Sequence, residues 1–325
     1  MGYIDLHCDT LMQAFLAGQK NVVRLEKAMA DLERLETGGC AAQFFAIFMP
    51  PMAYRARYGD AIPDDETYIR LLRGILQNTM EARPDRLAPA AGAADLERCR
   101  REGKIAAFLT LEDGRPVDGK LENLARFREM GVRLISLTWN EPNCLGWPNS
   151  RDAETMARGL TPFGRDAVEE MQRLGMLVDV SHLSDGGFWE VARLAKRPFL
   201  ASHSNCRALC PHPRNLTDEM LRTLGEKGGV AGLNFGPQFL NADPEDRRST
   251  AAAIARHARH MADKGGIDCV ALGTDFDGIT GEFEIGGPQN MALLADALHK
   301  AGFSEDQIGQ IFFDNAARVI REGMN

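Results

Sequence analysis

A chain of 325 residues, 44% of them hydrophobic, is long enough for one large α/β domain or two ordinary ones. The 46 acidic residues exceed the 38 basic ones, which gives a formal charge of −8, and the basic residues are spread along the chain. This distribution excludes the basic stripe typical of a nucleic-acid-binding protein and suits a small polar substrate.

We expect neither a leader peptide nor a membrane-spanning segment, and therefore a cytoplasmic protein without membrane contact. No basic and then apolar stretch precedes the first predicted strand, and nowhere do 18 uncharged apolar residues run together. The seven cysteines are an odd number and form no CxxC pair, so we expect free thiols in a reducing compartment.

The predicted elements alternate between strand and helix from one end of the chain to the other. The first strand begins near Tyr3 and runs into His7 and Asp9, with Cys8 facing the opposite side. The other seven strands are predicted at residues 41–49, 104–111, 132–138, 176–180, 198–202, 229–235 and 268–273. Helices are predicted at residues 24–37, 64–80, 93–101, 121–130, 163–174, 186–195, 217–227, 249–264, 289–300 and 304–322.

Eight strands that alternate with helices predict an α/β fold, a single (β/α)8 TIM barrel domain over residues 1–325. A doubly wound open sheet is the alternative. No glycine-rich dinucleotide fingerprint follows any strand, and no linker rich in Pro, Ser or Gly divides the chain.

Three predicted loops after strands are long, at residues 50–63, 139–160 and 236–247. In a barrel such loops build the active-site face, although solvated loop residues are the alternative for most of their side chains. The first two loops carry the polar and aromatic residues Tyr54, Arg55, Arg57, Tyr58, Trp139, Asn140, Asn143, Trp147, Asn149 and Arg151.

Histidines and carboxylates stand at the C-terminal ends of five predicted strands. These residues are His7, Asp9, Glu112, His182, His203 and Asp275. The C-terminal ends of barrel strands meet at one rim, so the six side chains are expected to converge. Three imidazoles and three carboxylates exceed the needs of one Zn²⁺ and suggest two metals, with Glu112 as the shared ligand.

Other interpretations stay open for single residues. A strand-end histidine is usually structural, but three histidines that end three strands favour metal binding. Asp275 and Asp277 could instead be turn and loop residues. Asp179 either orients His182 or makes a buried hydrogen bond within the fold. The histidines expected to be ordinary surface or loop residues are His212, His257, His260 and His299.

A loop after His203 carries a candidate anion-binding residue. Arg214 lies shortly before Thr217, a predicted helix N-cap. A guanidinium held there could bind a substrate carboxylate through two hydrogen bonds, and the alternative is a solvated arginine.

The chain resembles the membrane dipeptidase (renal dipeptidase) family, the M19 metallopeptidases, and in particular its bacterial members. The motifs that carry the resemblance are Asp5-Leu6-His7-Cys8-Asp9, Leu111-Glu112-Asp113-Gly114, Leu137-Thr138-Trp139-Asn140, Gly159-Leu160-Thr161-Pro162-Phe163-Gly164, Val178-Asp179-Val180-Ser181-His182, Ser202-His203-Ser204-Asn205, Arg214-Asn215 and Gly273-Thr274-Asp275-Phe276-Asp277-Gly278.

The resemblance implies an amidohydrolase-like, metallo-dependent hydrolase with two Zn²⁺ per chain. His7 and Asp9 would hold one ion, His182 and His203 the other, and Glu112 would bridge them. It further implies that Arg214 binds the dipeptide carboxylate and that Asp275 moves protons near the scissile bond, with a bridging hydroxide as the nucleophile.

Two positions depart from the mammalian enzymes of the family. Trp139 stands where those enzymes carry a histidine, and Gly236 stands where they carry a tyrosine, so the dipeptide preference is not transferable. Trp139 and Asn140 are candidate substrate-binding residues of the reshaped pocket.

The expected activity is hydrolysis of small dipeptides, including those with a C-terminal D-residue. The alternatives are hydrolysis of another amide, a lactam, a lactone or a phosphoester at the same metal site, or a non-catalytic metal-binding barrel. We expect no partner besides the dipeptide substrate, and the choice between monomer and homodimer stays open.

Overall fold

The structure, a computed structural model, describes residues 2–51 and 62–324 of the chain. Four of the predicted loop residues, Tyr54, Arg55, Arg57 and Tyr58, lie outside the described residues. No helix of the described ranges has both the length and the apolarity that crossing a membrane requires.

Parallel strands form the centre of the molecule. The strands are β1 (Tyr3–Cys8), β2 (Cys40–Phe48), β3 (Leu87–Pro89), β4 (Ile105–Glu112), β5 (Val132–Ser136), β6 (Leu177–Asp179), β7 (Leu200–Ala201), β8 (Val230–Leu233), β9 (Arg248–Ser249), β10 (Val270–Leu272) and β11 (Glu282–Phe283). Eight of them follow one another in the order β2, β1, β10, β8, β7, β6, β5 and β4, and β4 pairs again with β2. This closure confirms the predicted (β/α)8 barrel.

Three strands were not predicted. β3 pairs with the first residues of β4, and β9 and β11 form a separate parallel pair. Each has two or three residues, which is too short for a hydrophobic alternation to appear in the sequence.

Helices surround the barrel, most of them within a few residues of their predicted positions. They are α1 (Thr10–Leu16), α2 (Leu32–Thr37), α3 (Asp65–Ala82), α4 (Ala93–Arg101), α5 (Leu121–Glu129), α6 (Ala153–Ala157), α7 (Pro162–Arg173), α8 (Asp185–Leu194), α9 (Asp218–Glu226), α10 (Pro237–Leu240), α11 (Ala251–Gly265), α12 (Ala292–Lys300), α13 (Glu305–Gly309) and α14 (Asn315–Gly323). A π-helical turn joins the last two. The predicted N-cap Thr217 is confirmed, because its side chain accepts a hydrogen bond from the Met220 amide.

The prediction of a helix over residues 24–37 was wrong in its first half, since α2 begins only at Leu32. The Asp31 carboxylate accepts hydrogen bonds from the amides of Arg34, at 2.8 Å, and Leu25, at 3.0 Å. Asp31 therefore caps the helix and holds the preceding segment in an irregular conformation. The prediction also missed three short helices: α1, which follows β1 directly, and α6 and α10, which lie in the predicted loops 139–160 and 236–247.

Two apolar layers hold the barrel and its helices together. An outer cluster lies between strands and helices, and an inner cluster receives at least one side chain from each barrel strand. Inner-cluster members include Ile4, Leu6, Phe44, Phe108, Leu134, Leu177, Leu200, Val230 and Ala271. Burial of each large side chain contributes about 1.5–3 kcal/mol, so the strand ends that carry the site rest on a rigid base.

The end of β1 departs from regular alternation. Ile4 and Leu6 belong to the inner cluster, whereas Cys8 belongs to the outer one. The pairing register with β2 shifts between Asp5 and Cys8, and this shift breaks the period of two. As a result Cys8 packs outward, as expected, while the side chains of His7 and Asp9 reach the mouth of the barrel.

Candidate metal centre and active site

Glu112, the last residue of β4, lies between the histidines of the rim. Its Oε2 is 3.6 Å from His7 Nε2. Its Oε1 is 3.0 Å from His182 Nε2 and 3.6 Å from His203 Nε2. Both oxygens of one buried carboxylate thus face imidazole nitrogens from three other strand ends, which is the geometry of a shared ligand.

The His7 side of the cluster contains two further carboxylates. His7 Nε2 lies 3.5 Å from Asp9 Oδ2 and 3.9 Å from Asp275 Oδ1. Among the described residues, two groups of potential ligand atoms lie within 4.8 Å of one another: His7 with Glu112 and His203, and His7 with Asp9 and Asp275. The six strand-end residues selected from the sequence therefore converge at one place.

Burial and the carboxylates act in opposite directions on the imidazoles. Desolvation opposes the charged form of His7, but Glu112 and Asp9 outweigh it, so the pKa of His7 lies well above its usual value. Desolvation, together with the positive charges of His7 and Arg214, holds the pKa values of His182 and His203 well below normal. His182 and His203 are therefore neutral and can bind a metal ion through a free lone pair, whereas His7 must release its proton before it can bind one.

The carboxylates of the cluster are crowded. Burial raises the pKa of Glu112, and the Asp9 charge raises it further. Burial also raises the pKa of Asp275, although the neighbouring His7 lowers it. Like charges held close together in a desolvated site need a cation, and a divalent ion supplies it.

Unpaired buried atoms test whether the site fits a metal. Neither ring nitrogen of His7 nor Asp9 Oδ1 has a hydrogen-bond partner among the described residues. Buried polar atoms are normally hydrogen-bonded. A bound cation would provide a partner for lone pairs among these unpaired atoms. Imidazole nitrogens and carboxylate oxygens are ligands that suit Zn²⁺, so the residues present fit the group.

Backbone strain concentrates at the same rim. Five non-glycine residues of the described chain have positive φ, and Asp113, His182, Asp275 and Asp277 are four of them. The His182 carbonyl, at φ 68°, accepts hydrogen bonds from Thr138 Oγ1 and from the amide and side chain of Asn149. Such conformations cost about 1–3 kcal/mol each and cluster at functional sites.

A cavity of about 740 Å³ opens onto the cluster. Asp9, Glu112, His182 and Asp275 line it, together with substrate-binding candidates from the sequence. The other lining residues include Met12, Phe48, Trp139, Asn140, Arg151, His212, Arg214 and Phe239. This volume is typical of a small-molecule site.

Trp139 and Asn140 lie beside the same histidine. The Trp139 ring is 4.9 Å from the Phe48 ring and 5.9 Å from the His182 ring. Asn140 Oδ1 lies 3.2 Å from His182 Nδ1, so the amide oxygen accepts from the ring N–H. Asn140 is thus in contact with a candidate metal ligand as well as with the cavity.

Gly236 lies at a crowded point of the wall. Its amide donates to Asn234 Oδ1 at 2.7 Å. A Cβ atom at this position would lie 3.0 Å from Ile279 Cγ2 and 3.0 Å from Phe239 Cδ2. Ile279 and Phe239 therefore occupy the space that a side chain at position 236 would need.

Arg214 is a buried cation directed at the cavity. Its Nη1 donates to Ser204 Oγ at 3.1 Å, its Nη2 donates to the His203 carbonyl at 3.2 Å, and its Nε has no partner. Within the described chain no carboxylate lies within 4.0 Å of the guanidinium. Desolvation lowers the Arg214 pKa, while the charges of Asp275 and Glu112 oppose that shift.

Residues left open in the sequence have structural partners. Asp277 accepts hydrogen bonds from Thr10 Oγ1 and the Met29 amide, both at 2.6 Å, and so ties the segment before α2 to the barrel. Asp179 contacts serines and not His182. The expectation that His257 is a surface or loop residue was wrong, because its side chain is fully buried on α11.

Sequence reasoning missed Asn234, Ser202 and the cavity residue His212. Asn234 donates to Asp275 Oδ2 at 2.8 Å, and Ser202 Oγ lies 2.6 Å from His203 Nδ1. Asn234 follows β8 directly, so the search for polar residues at the C-terminal ends of strands could have included it. Ser202 belongs to a motif of the family resemblance, but nothing in the sequence marks its hydroxyl as the partner of His203.

The barrel and its rim of histidines and carboxylates are those of a metal-dependent hydrolase. The model of the family described as membrane dipeptidase, peptidase family M19, matches residues 1–324. The chain belongs to this family and is a metallopeptidase.

Known proteins show the same relationship. The Claviceps purpurea (strain 20.1) protein Dipeptidase tcpJ is 30% identical over 298 residues, which are 90% of this chain and 68% of the relative. The solved structure of dipeptidase AC, a metallopeptidase of family M19, has a TM-score of 0.88 at 28% identity and covers 100% of this chain and 99% of its own. A Rhodobacter sphaeroides metallopeptidase, solved with a phosphinate mimic of the dipeptide L-Ala-D-Ala, has a TM-score of 0.87 at 27% identity, with 99% of each chain covered.

Proposed function

We propose that the chain is a zinc-dependent dipeptidase that hydrolyses small dipeptides, including those with a C-terminal D-residue. The observation that carries this proposal is the position of Arg214. Its buried guanidinium lacks a carboxylate partner within the described chain and shares one cavity with the histidine and carboxylate cluster. A dipeptide supplies both the missing carboxylate and, a few ångströms away, the amide to be cleaved.

Five residues would hold the metal. We assign His7 and Asp9 to one ion, His182 and His203 to the second, and Glu112 to both, because each Glu112 oxygen faces a different half of the cluster. Metal ions held by these residues would supply Lewis-acid chemistry: they would polarise a carbonyl group and lower the pKa of a water.

The chain's own residues supply binding and proton transfer. Arg214 would hold the substrate carboxylate, while Trp139 and Phe48 form an aromatic part of the cavity wall beside His182. Asp275 Oδ2 is held by Asn234, which leaves Oδ1 facing the cluster. We propose that Asp275 accepts a proton from the water that attacks the carbonyl carbon and passes it to the amine nitrogen as the C–N bond breaks.

Acceptance of a C-terminal D-residue is supported by one solved neighbour, the Rhodobacter sphaeroides protein with its L-Ala-D-Ala mimic. The test is an assay of paired L-L and L-D dipeptides, with zinc added, against the corresponding dipeptide amides. Dipeptides should be cleaved and amides should react at least about tenfold more slowly, because they lack the carboxylate. If metal-loaded enzyme cleaves no member of a broad panel, the dipeptidase proposal fails.

Metal content is measured on the same preparation. Elemental analysis after gentle purification should find close to two zinc ions per chain. A content that stays near zero after zinc is supplied would remove the proposed mechanism.

The variants Arg214→Ala and Arg214→Lys test whether the substrate is a dipeptide or a compound without a carboxylate. With carboxylate recognition, the alanine variant should raise KM by about 10²-fold at unchanged metal content, and lysine should restore part of the loss through its charge. Unchanged dipeptide kinetics in the alanine variant would point to a substrate without a carboxylate, such as a lactone or another amide.

A further inference from the structure

The three histidines of the cluster differ in what lies behind their rings. His7 Nδ1 has no partner among the described residues. His182 Nδ1 faces the side-chain amide of Asn140 at the edge of the cavity. His203 Nδ1 lies 2.6 Å from Ser202 Oγ in the buried interior. Of the three rings, therefore, only His203 contacts a hydroxyl that leads to a buried carboxylate.

That carboxylate is Asp179 at the end of β6. Its Oδ1 accepts hydrogen bonds from the amides of Ser181 and Ser202, each at 2.9 Å. Its Oδ2 accepts from Ser136 Oγ at 2.5 Å and from Ser202 Oγ at 2.6 Å. Four donors from three strand ends hold Asp179, and every one of these residues is buried.

The direction of each hydrogen bond follows from counting hydrogens. A serine hydroxyl has one hydrogen, and a carboxylate only accepts, so Ser202 donates to Asp179. Ser202 Oγ can then only accept from the ring nitrogen of His203, which must carry its hydrogen on Nδ1. Ser181 Oγ, at the longer distance of 3.3 Å from Ser202 Oγ, does not change this assignment.

We propose that Asp179 is a positioning residue that acts through Ser202 to hold His203 in the Nδ1–H tautomer. Nε2 of His203 then keeps its lone pair, and it points at Glu112 Oε1 and His182 Nε2, where the second ion would bind. This inference rests on the metal assignment of the proposed function. It assigns Asp179 to His203, whereas the sequence left open whether Asp179 orients His182 or makes a buried hydrogen bond within the fold.

The tautomer can be measured without any metal. In metal-free protein labelled with ¹⁵N-histidine, long-range ¹H–¹⁵N spectra should show His203 protonated at Nδ1, with His203→Gln used to assign the signal. A ring protonated at Nε2 in the wild-type protein would overturn the proposal, whatever its metal content.

Asp179→Asn should reverse the tautomer. The oxygen of the introduced amide is expected to face the two backbone N–H groups, which places its NH2 group opposite Ser202. Ser202 Oγ then accepts from this NH2 group, and its hydrogen is free to go to His203 Nδ1 at 2.6 Å in preference to Ser181 Oγ at 3.3 Å, so the ring hydrogen moves to Nε2. Reversal of a histidine tautomer by the same substitution is known from the serine protease triad. An unchanged Nδ1–H signal in this variant would contradict the relay.

Zinc affinity supplies the second measurement, with a matched control. Ser202→Ala and Ser136→Ala each remove one serine hydroxyl from Asp179 Oδ2, but only the first also removes the partner of His203. In competition with a chromophoric chelator, Ser202→Ala should lower the affinity for one of the two zinc ions by about 10–100-fold. Ser136→Ala should bind both zinc ions with affinities within about threefold of those of the wild type.

The outcomes separate the two proposals. Equal zinc affinities in Ser202→Ala and Ser136→Ala would overturn the positioning role while leaving the dipeptidase proposal intact. A wild-type protein that binds fewer than two ions would remove the metal assignment, and the wild-type tautomer would still decide whether the relay exists. If Ser202→Ala does not fold, the wild-type spectrum and Asp179→Asn give the answer.

Discussion

Asn234 donates a hydrogen bond from Nδ2 to Asp275 Oδ2 at 2.8 Å. The Asn234 amide group is itself held, because its Oδ1 accepts from the Gly236 amide at 2.7 Å. Asp275 therefore has one oxygen anchored in the wall, while the other lies 3.9 Å from His7 Nε2. A carboxylate held in this way can exchange a proton without leaving its place.

The first prediction concerns proton transfer by Asp275. Asp275→Asn should keep the fold and close to two metal ions per chain but lower kcat by about 10²–10⁴-fold, the range for loss of a general acid or base. Steady-state kinetics on variants of matched zinc content test it. A kcat near the wild-type value would show that Asp275 is only a turn residue and would direct attention to Asp277.

Glu112→Gln should instead lower metal binding itself. A neutral amide bridges two cations poorly, and both Glu112 oxygens face imidazole nitrogens of the cluster. We expect one ion or fewer per chain after dialysis, measured by elemental analysis. Asp275→Asn is the matched control, since it makes the same acid-to-amide change at the same rim. Two retained ions in Glu112→Gln would refute the bridging role.

Gly278 lies against two carboxylates of the cluster. A methyl group there would overlap Asp9 Oδ2 and Asp275 Oδ1, which would have to move. Gly278→Ala should therefore lower kcat/KM by about 10²-fold through displacement of these groups. Gly286→Ala, where no atom lies within 4 Å of the added carbon, should leave the kinetics within about twofold. Equal kinetics in both variants would argue against a tight packing requirement at Gly278.

The architecture was predictable because its signals are local and repeated. Strands such as Cys40–Phe48 and Ile105–Glu112 are apolar and of ordinary length, and their regular alternation with helices specifies a barrel. The strand-end rule then selected His7, Asp9 and Glu112 without knowledge of any distance. The start of α2 escaped prediction because the Asp31 cap competes with an apolar pattern that continues upstream.

The contacts between strand ends could not be predicted. Whether Asp179 lies next to His182 or His203 depends on the pairing of β6 with β7, where Asp179 is opposite Leu200. The sequence offered His182 or a buried hydrogen bond within the fold as alternatives. The structure shows that Asp179 accepts from Ser202 Oγ, which in turn contacts His203 Nδ1. The hydrogen-bond partners of a buried histidine such as His257 are likewise determined by tertiary packing, which the hydrophobic periodicity of the sequence does not predict.

The last prediction concerns acid stability and His257. This residue is fully buried on α11, where its Nδ1 accepts from the Cys206 amide at 3.1 Å and its Nε2 lies 3.0 Å from the Leu240 carbonyl. The neutral ring satisfies both neighbours, whereas a protonated ring would point a second N–H at the Cys206 N–H. Desolvation lowers the pKa of His257 from 6.5 to about 4.

Because His257 is protonated near pH 6.5 in the unfolded chain but only near pH 4 in the folded protein, protons favour unfolding in this window. The contribution of the neutral His257 ring to the free energy of unfolding is fully present above pH 6.5. It decreases by about 3 kcal/mol as the pH falls from 6.5 to 4. Urea denaturation of metal-free wild type and His257→Gln at several pH values measures it. The stability difference between the two proteins should shrink on acidification, since groups common to both cancel. A difference that is constant between pH 6.5 and pH 4 would mean that His257 takes up its proton equally in the folded and unfolded states.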